Sequence, residues 1–134
     1  MTQTPPQSSD LPAFRRLDVS QVGGVSVACL KGPTISEAAA VQDLGRELLQ
    51  WADATAGGKL LVDFSSVEML APAAMGKFLL LAKKIKARSG VLRLSGLRPA
   101  IYNVFAMNKL LTVFEVFENR AEALASFGEQ TPAE

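Results

Sequence analysis

Residues 60–79 read LLVDFSSVEMLAPAAMGKFL, and this stretch decides the fold. It opens with a short apolar run, Leu60 to Phe64, of the kind that forms a strand covered on both faces. Apolar residues at helical spacing follow from about Pro72 to Arg88. Proline favours the first position of a helix, because that position needs no N–H donor. A buried strand that leads directly into a helix predicts a parallel α/β arrangement.

Two strands and a helix are predicted before this stretch. Thr34 and Glu37 have the spacing of a capping box, and apolar residues at helical spacing then continue to Trp51. This pattern predicts a helix that starts after the box and ends before Gly57. The two earlier segments have the alternation or the β-branched residues of strands, and a Gly-Gly turn joins them into a hairpin. They are Phe14–Val19 and Val25–Leu30.

Further elements are predicted after Gly90, which ends the long helix. They are a strand, a short helix and a strand, over Val91–Ser95, Pro99–Met107 and Val113–Phe117. Asn119 then caps a last helix, with Glu122 three positions later. Strands that alternate with helices pair in parallel through right-handed crossovers. The sequence therefore predicts one α/β domain with a small, mixed, mostly parallel sheet packed with about four helices, and with the first strand antiparallel at an edge.

Length and composition agree with one domain. With 134 residues, 49% hydrophobic and 20% charged, the chain can bury a core without disulfides or metal. We expect disordered tails over residues 1–12, which are rich in Pro, Ser, Thr and Gln, and over 129–134, around a domain of residues 13–128. There is no signal-peptide pattern and no apolar run that could cross a bilayer, which predicts a cytoplasmic protein without a membrane partner.

The residues for common catalysis are scarce. The chain has no His and one Cys, which excludes His-dependent triads, His-bearing zinc sites and Cys-rich metal or redox motifs. Asp63 and Glu68 form no convincing acid/base pair, and Cys29 falls in a predicted strand, where we expect it to be buried. We predict no catalytic residue, no metal site and no cofactor, and therefore no enzyme.

Charge is unevenly distributed along the chain. Residues 69–114 carry eight basic and no acidic residues, although the net charge is only +1. Such a segment is either a surface for an acidic partner or a solvated helix face. The lysines spread around the predicted helix without a helix-turn-helix, zinc or stacking-aromatic pattern, which argues against direct binding of nucleic acid.

Three short motifs, in this order and spacing, resemble those of one protein family. They are Asp63-Phe64-Ser65 at the strand end, Ala74-Met75-Gly76 at the helix start and the turn Gly96-Leu97-Arg98-Pro99. Together with the element order from Phe14 to Phe127, they resemble the STAS domain, the sulfate transporter and anti-sigma factor antagonist module. The resemblance implies a STAS-like fold and a regulatory, protein-binding role in signal transduction.

The resemblance also points to one position at the start of the second helix. Family members that act as anti-sigma factor antagonists carry there a Ser or Thr that a partner kinase phosphorylates. The matching residues here are Ala71, Pro72, Ala73 and Ala74, and Ala73 at the acceptor position has no hydroxyl. The resemblance thus implies an anti-sigma factor antagonist-like protein that binds a serine kinase-like anti-sigma factor in a partner-switching pathway, without phosphorylation at the usual site.

Two serines close to this position offer other hydroxyls. Ser65 and Ser66 lie several residues upstream of Ala73, at the end of the predicted strand. One interpretation is that a kinase modifies one of them instead. The other is that they satisfy the backbone of a turn, which is a common role of serine.

The second helix has a core face and an outer face in helical projection. We expect the core face to contain Ala74, Met75, Phe78, Leu79, Ala82 and Ile85. The outer face contains Ala73, Gly76, Lys77, Leu80, Lys83 and Lys84, and with Ala71 and Pro72 it forms the predicted partner-binding surface. Leu80 would anchor an acidic partner that the lysines attract, although single exposed leucines are common on protein surfaces.

A second function remains open at this point. A ligand-sensing or scaffolding STAS module would bind a nucleotide, lipid or anion at the N-terminus of the second helix, where N–H groups are free. No Gly-rich phosphate loop accompanies that helix. Association of two copies into a homodimer is also open.

Overall fold

A computed structural model describes residues 14–55 and 58–129 of the chain. It confirms the predicted α/β fold, with four helices and a mostly parallel sheet. The predicted tail 1–12 and residues 130–134 lie outside the described residues. The elements are β1 Leu17–Val22, β2 Val25–Leu30, β3 Thr34–Ile35, α1 Ala38–Ala54, β4 Lys59–Asp63, β5 Met69–Leu70, α2 Ala74–Ala87, β6 Val91–Ser95, α3 Pro99–Met107, a 3₁₀ turn Leu110–Thr112, β7 Glu115–Phe117 and α4 Arg120–Glu129.

The main sheet has five strands in the order β1-β2-β4-β6-β7. β1 pairs antiparallel with β2, as predicted, and the turn between them uses Gly23 and Gly24, both with positive φ. The other neighbours pair in parallel. β3 and β5 form a separate parallel pair of two residues each, which the sequence did not predict. This small pair joins the loop after β2 to the loop before α2.

Helices cover both faces of the main sheet. Buried residues of α1, α2 and α3 pack on one face, whereas Ala123 and Phe127 of α4 pack on the other. On the first face, the rings of Phe64 and Phe78 lie 5.2 Å apart, and Phe105 meets Phe64 edge to face at 5.8 Å. These three fully buried rings connect the end of β4 to α2 and α3.

α1 begins at Ala38, directly after Glu37 as predicted, but its predicted cap is wrong, and so is the predicted first residue of α2. Thr34 does not cap α1, because it lies in β3 and pairs with Met69. Glu37 occupies the N-cap position of α1 without a side-chain cap hydrogen bond among the described residues. Pro72 is not the first residue of α2, which begins at Ala74. Pro72 belongs to the turn before it, where its carbonyl accepts the N–H of Met75 at 2.9 Å.

Other boundaries agree more closely. β2, β6 and α3 have the predicted bounds, and Asn119 caps α4 by accepting the N–H of Glu122 at 2.9 Å. The first strand lies three residues later than predicted, and a 3₁₀ turn shortens the last. After α2 the left-handed conformation falls on Ser89, with φ 61°, rather than on Gly90. In α2 itself Leu81 is fully buried and was missing from the predicted core face, whereas Leu79 and Ala82 are half-buried.

The core of α2 can be tested by two substitutions in one helix. Phe78→Ala should lower the free energy of unfolding by about 3–5 kcal/mol, because it removes a fully buried ring. Leu80→Ala should change it by less than about 0.5 kcal/mol, because Leu80 is 51% exposed. Urea unfolding followed by circular dichroism measures both. Equal losses in the two variants would contradict this assignment of the faces.

Candidate functional site

The loop between β4 and α2 is held against the loop after β2 by backbone contacts. Glu68 and Met69 donate their N–H groups to the carbonyl of Pro33 at 2.7 and 3.1 Å. Ala71 donates to Ile35 at 2.8 Å. A Cβ at Gly32 would overlap the carbonyl oxygen of Ser66, so only glycine allows this close approach. These backbone contacts hold the segment that leads into α2 in place, in addition to the buried side chains of the helix itself.

The four residues that the resemblance aligned with a phosphorylation motif lie at this start. Ala71 is half-buried, and its carbonyl accepts the N–H of Ala74 at 2.9 Å. Pro72 and Ala73 are exposed, whereas Ala74 is fully buried. The Ala73 methyl group therefore faces solvent at the end of α2 where helical N–H groups carry partial positive charge. The first turn of α2 contains no acidic residue.

An exposed strip runs along α2 from this position. It consists of Ala73, Gly76, Leu80 and Lys83, which are three or four residues apart, and we call it the α2 strip. A Cβ at Gly76 would meet no described atom within 4 Å, so the glycine leaves open space beside Leu80. Met69, 58% exposed, precedes the strip along the chain. A strip of small residues with one exposed leucine allows close approach of another surface.

Two lysines of the predicted partner-binding surface contact α1 instead. Lys77 Nζ donates to Gln42 Oε1 at 3.3 Å, and its methylene groups lie over Gly45, where a Cβ would come within 2.6 Å of Lys77 Cδ. Lys84 Nζ lies 2.7 Å from Asp53 Oδ1. Helical projection placed Lys77, Lys83 and Lys84 on one surface. In the structure only Lys83 belongs to the α2 strip.

Ser65 and Ser66 lie in a different feature, a cavity of about 590 Å³ at the carboxyl ends of β2 and β4. Both serines are exposed. The N–H of Ser65 donates to Asp63 Oδ1 at 2.9 Å, and its carbonyl accepts from Arg98 at 3.2 Å. The turn is thus stabilised by the Asp63 carboxylate and by backbone groups. Lys31, Glu68 and Asp18 also line this cavity, which gives it mixed charge.

A half-buried ion pair at the same end was not predicted. Arg120, the first residue of α4, donates from Nε and Nη2 to Asp63 Oδ2 at 2.9 and 2.7 Å. The Cys29 thiol donates to the same carboxylate oxygen at 3.8 Å. Burial raises the pKa of the Cys29 thiol, although the Arg120 charge acts in the opposite direction. The hydrogen bond with Asp63 raises the pKa of Arg120, so this pair links α4 to β4 as a charged contact.

Two other kinds of feature are absent from the described residues. Within residues 14–55 and 58–129, no helix has the length and apolarity to cross a bilayer. In these two ranges no group of three or more His, Cys, Asp or Glu side chains is placed to bind a metal ion.

A family model describes most of this fold. The model of the STAS domain matches residues 16–123, from the start of the hairpin into α4. The chain belongs to the STAS domain family. In this STAS domain β4 ends at Asp63 and α2 begins at Ala74, where two of the sequence motifs lie. Ala73 lies at the exposed start of α2.

Known relatives agree with this assignment. BtrV of Bordetella bronchiseptica, whose name describes it as an anti-sigma factor antagonist, is 27% identical over 117 residues, which cover 87% of this chain and 98% of BtrV. The structure of tm1081 from Thermotoga maritima has a TM-score of 0.72 and 14% identity, over 82% of this chain and 92% of that one. Unphosphorylated SpoIIAA, an anti-sigma factor antagonist, has a TM-score of 0.70 and 17% identity, over 84% and 97%. SpoIIAA of Bacillus is also known in a phosphorylated form.

Two glycines near the α2 start allow a matched test of this geometry. Gly32→Ala should lower the free energy of unfolding by about 1–3 kcal/mol, because its methyl group would overlap Ser66. Gly76→Ala should raise it by about 0.5–1 kcal/mol, because alanine fits the open space and favours a helix. Thermal unfolding monitored by calorimetry measures both changes in the free energy of unfolding and their opposite signs. A Gly32→Ala protein as stable as the wild type would contradict the close contact between the two loops.

Proposed function

We propose that this STAS domain is a non-enzymatic, cytoplasmic regulator of the anti-sigma factor antagonist type. It binds a serine kinase-like anti-sigma factor in a partner-switching pathway, and it does so without phosphorylation at the usual site. The domain extends over residues 13–128. The observation that carries the proposal is the exposed α2 strip, which begins at the position where family members accept phosphate.

The shape and composition of the α2 strip support docking of a protein. Leu80 is 51% exposed and provides the apolar anchor, while Ala73 and Gly76 let the partner approach the helix backbone. Lys83 is exposed in the same strip and attracts an acidic partner. Ala71, Pro72, Lys77 and Lys84 lie along the border of the strip. Of these four, the two lysines are already in contact with α1 and contribute less to attraction.

The chemistry at position 73 supports binding that a partner kinase does not switch off. A phosphate at this position would add nearly two negative charges and three acceptor oxygens to the docking surface. The methyl group of Ala73 has no oxygen to receive it. In the proposed function the surface therefore stays in its binding-competent state in the presence of ATP.

The docking surface can be tested by a charge placed at its centre. Leu80→Asp should weaken binding to the anti-sigma factor by at least about tenfold, because a carboxylate would be buried against an apolar contact. Tagged wild-type and variant chains are used to recover proteins from native lysate, followed by mass spectrometry. Gln21→Asp, at the exposed edge of β1, introduces the same charge far from α2 and should leave binding unchanged. Retained binding in Leu80→Asp would exclude the α2 strip as the interface.

The missing hydroxyl can be restored. Ala73→Ser should be phosphorylated by the recovered anti-sigma factor in the presence of ATP and should then dissociate from it, whereas the wild type should carry no phosphate and stay bound. Intact-mass and peptide mass spectrometry measure the modification. Phosphate at Ser65 or Ser66 of the wild type would show that the acceptor has moved to the neighbouring cavity. The proposal that the protein binds without phosphorylation would then be wrong.

A ligand-sensing or scaffolding role is the alternative. The partial positive charge at the start of α2 supports an anion there, but the N–H groups of Ala74 and Met75 already donate to the carbonyls of Ala71 and Pro72. The cavity at this end is lined by Ser65, Ser66 and Arg98 rather than by the first turn of α2, which makes this alternative weaker. Association into a homodimer remains a further proposal that sedimentation would test.

A further inference from the structure

A second groove lies at the opposite end of α2. It has a volume of about 640 Å³ and runs between the last turns of α2, the start of β6 and the segment that leads into β7. Leu79, Leu92 and Phe114 provide apolar walls. Val113, 52% exposed, lies at its edge. The family's phosphorylation motif and Ser65 are at the other end of the sheet, so the groove is distinct from the start of the α2 strip and shares only Lys83 with the strip.

The groove exists because β7 is shorter than β6. β7 pairs only with Arg93–Ser95, so Val91 and Leu92 have no strand beside them on this side. Two residues of free edge are too few for an added strand, which needs a longer row of backbone hydrogen bonds. An occupant must therefore gain most of its binding free energy from side-chain contacts.

The charges around the groove are unbalanced. Lys83 and Lys86 line it, are exposed, and form no ion pair within the described residues. This distinguishes them from Lys84 in the same helix, which is paired with Asp53. The one acidic side chain at the groove, Glu115, is bound to Arg93 Nε at 2.6 Å. The rim therefore offers two free positive charges beside an apolar floor.

We propose that this groove binds an acidic amphipathic helix of another protein. The apolar face of that helix packs over Leu79, Leu92 and Val113, and its carboxylates pair with Lys83 and Lys86. A groove of this size accommodates the side chains of one or two helical turns. Lys86 is 13 residues from Ala73, about 20 Å along the helix axis, so the start of the α2 strip and the groove can be occupied by two different partners. The domain then acts as an adaptor between them.

The charge preference can be measured with a displayed library of amphipathic helices of about 16 residues, in which leucines form one face and flanking positions vary among Glu, Gln and Lys. The library is selected against the intact chain. We expect Glu to be enriched over Lys by at least about tenfold at the flanking positions. A selected peptide, labelled for fluorescence anisotropy, should bind more weakly at high salt, because both lysines are exposed.

Three variants locate the bound peptide. Lys86→Gln and Val113→Asp should each weaken binding of the peptide by about tenfold, while Leu80→Ala, which adds no charge beside Lys83, should leave its affinity unchanged. These changes avoid Lys83, which borders both surfaces, so failure here is separable from failure of the proposed anti-sigma factor interface. Circular dichroism checks that each variant is folded. If Val113→Asp does not fold, Lys86→Gln still tests the groove.

Several results would overturn the proposal. They are a library without acidic preference, a peptide that still binds both groove variants, and a peptide that no longer binds Leu80→Ala, which would place the peptide on the α2 strip. Sedimentation that shows a wild-type dimer dissociated by Val113→Asp would assign the groove to a second copy of the chain. If the selected peptide binds only after deletion of residues 130–134, the groove would be assigned to the protein's own C-terminal segment.

Discussion

β4 is buried on both faces, and the placement of the other elements follows from that burial. Leu60 and Val62 belong to the core under α1, α2 and α3, whereas Leu61 belongs to the cluster under α4. Each helix therefore lies where its apolar face covers β4 or a neighbouring strand. The carboxyl end of β4 becomes a fixed point, and Phe64 and Asp63 connect it to α2 and α4 on opposite sides. The exposed surface of α2 has a defined orientation because its buried surface has one.

The longer elements could be predicted because burial gives their sequences either a helical period or a run of apolar residues. β2, β6 and α3 have the predicted bounds, since apolar residues and Pro99 mark their limits. β3 and β5 could not be found in this way, because two residues are too short to show a period and their partner is distant in sequence. The same pairing explains the error at Thr34, whose local capping signal was overridden by a contact with Met69.

The candidate site was predictable in outline but not in its contacts. Helical projection correctly put Leu80 and Lys83 at the surface of α2, because it depends only on angle about the helix axis. It could not show that α1 lies beside the same helix and binds Lys77 and Lys84. The pair of Asp63 and Arg120 joins residues 57 apart in the chain, and its one sequence signal was a carboxylate at the end of an apolar strand.

The exposed methyl group of Ala73 changes the kind of signal that the proposed regulator transmits. Phosphorylation can switch a binding surface while the amount of protein stays constant, because it adds charge to the chain already present. In the proposed function, without an acceptor at position 73, the bound fraction of anti-sigma factor would follow mass action and depend on the free concentration of this chain relative to the dissociation constant. Synthesis and degradation would then set the output, so the response would be graded with protein abundance and as slow as protein turnover.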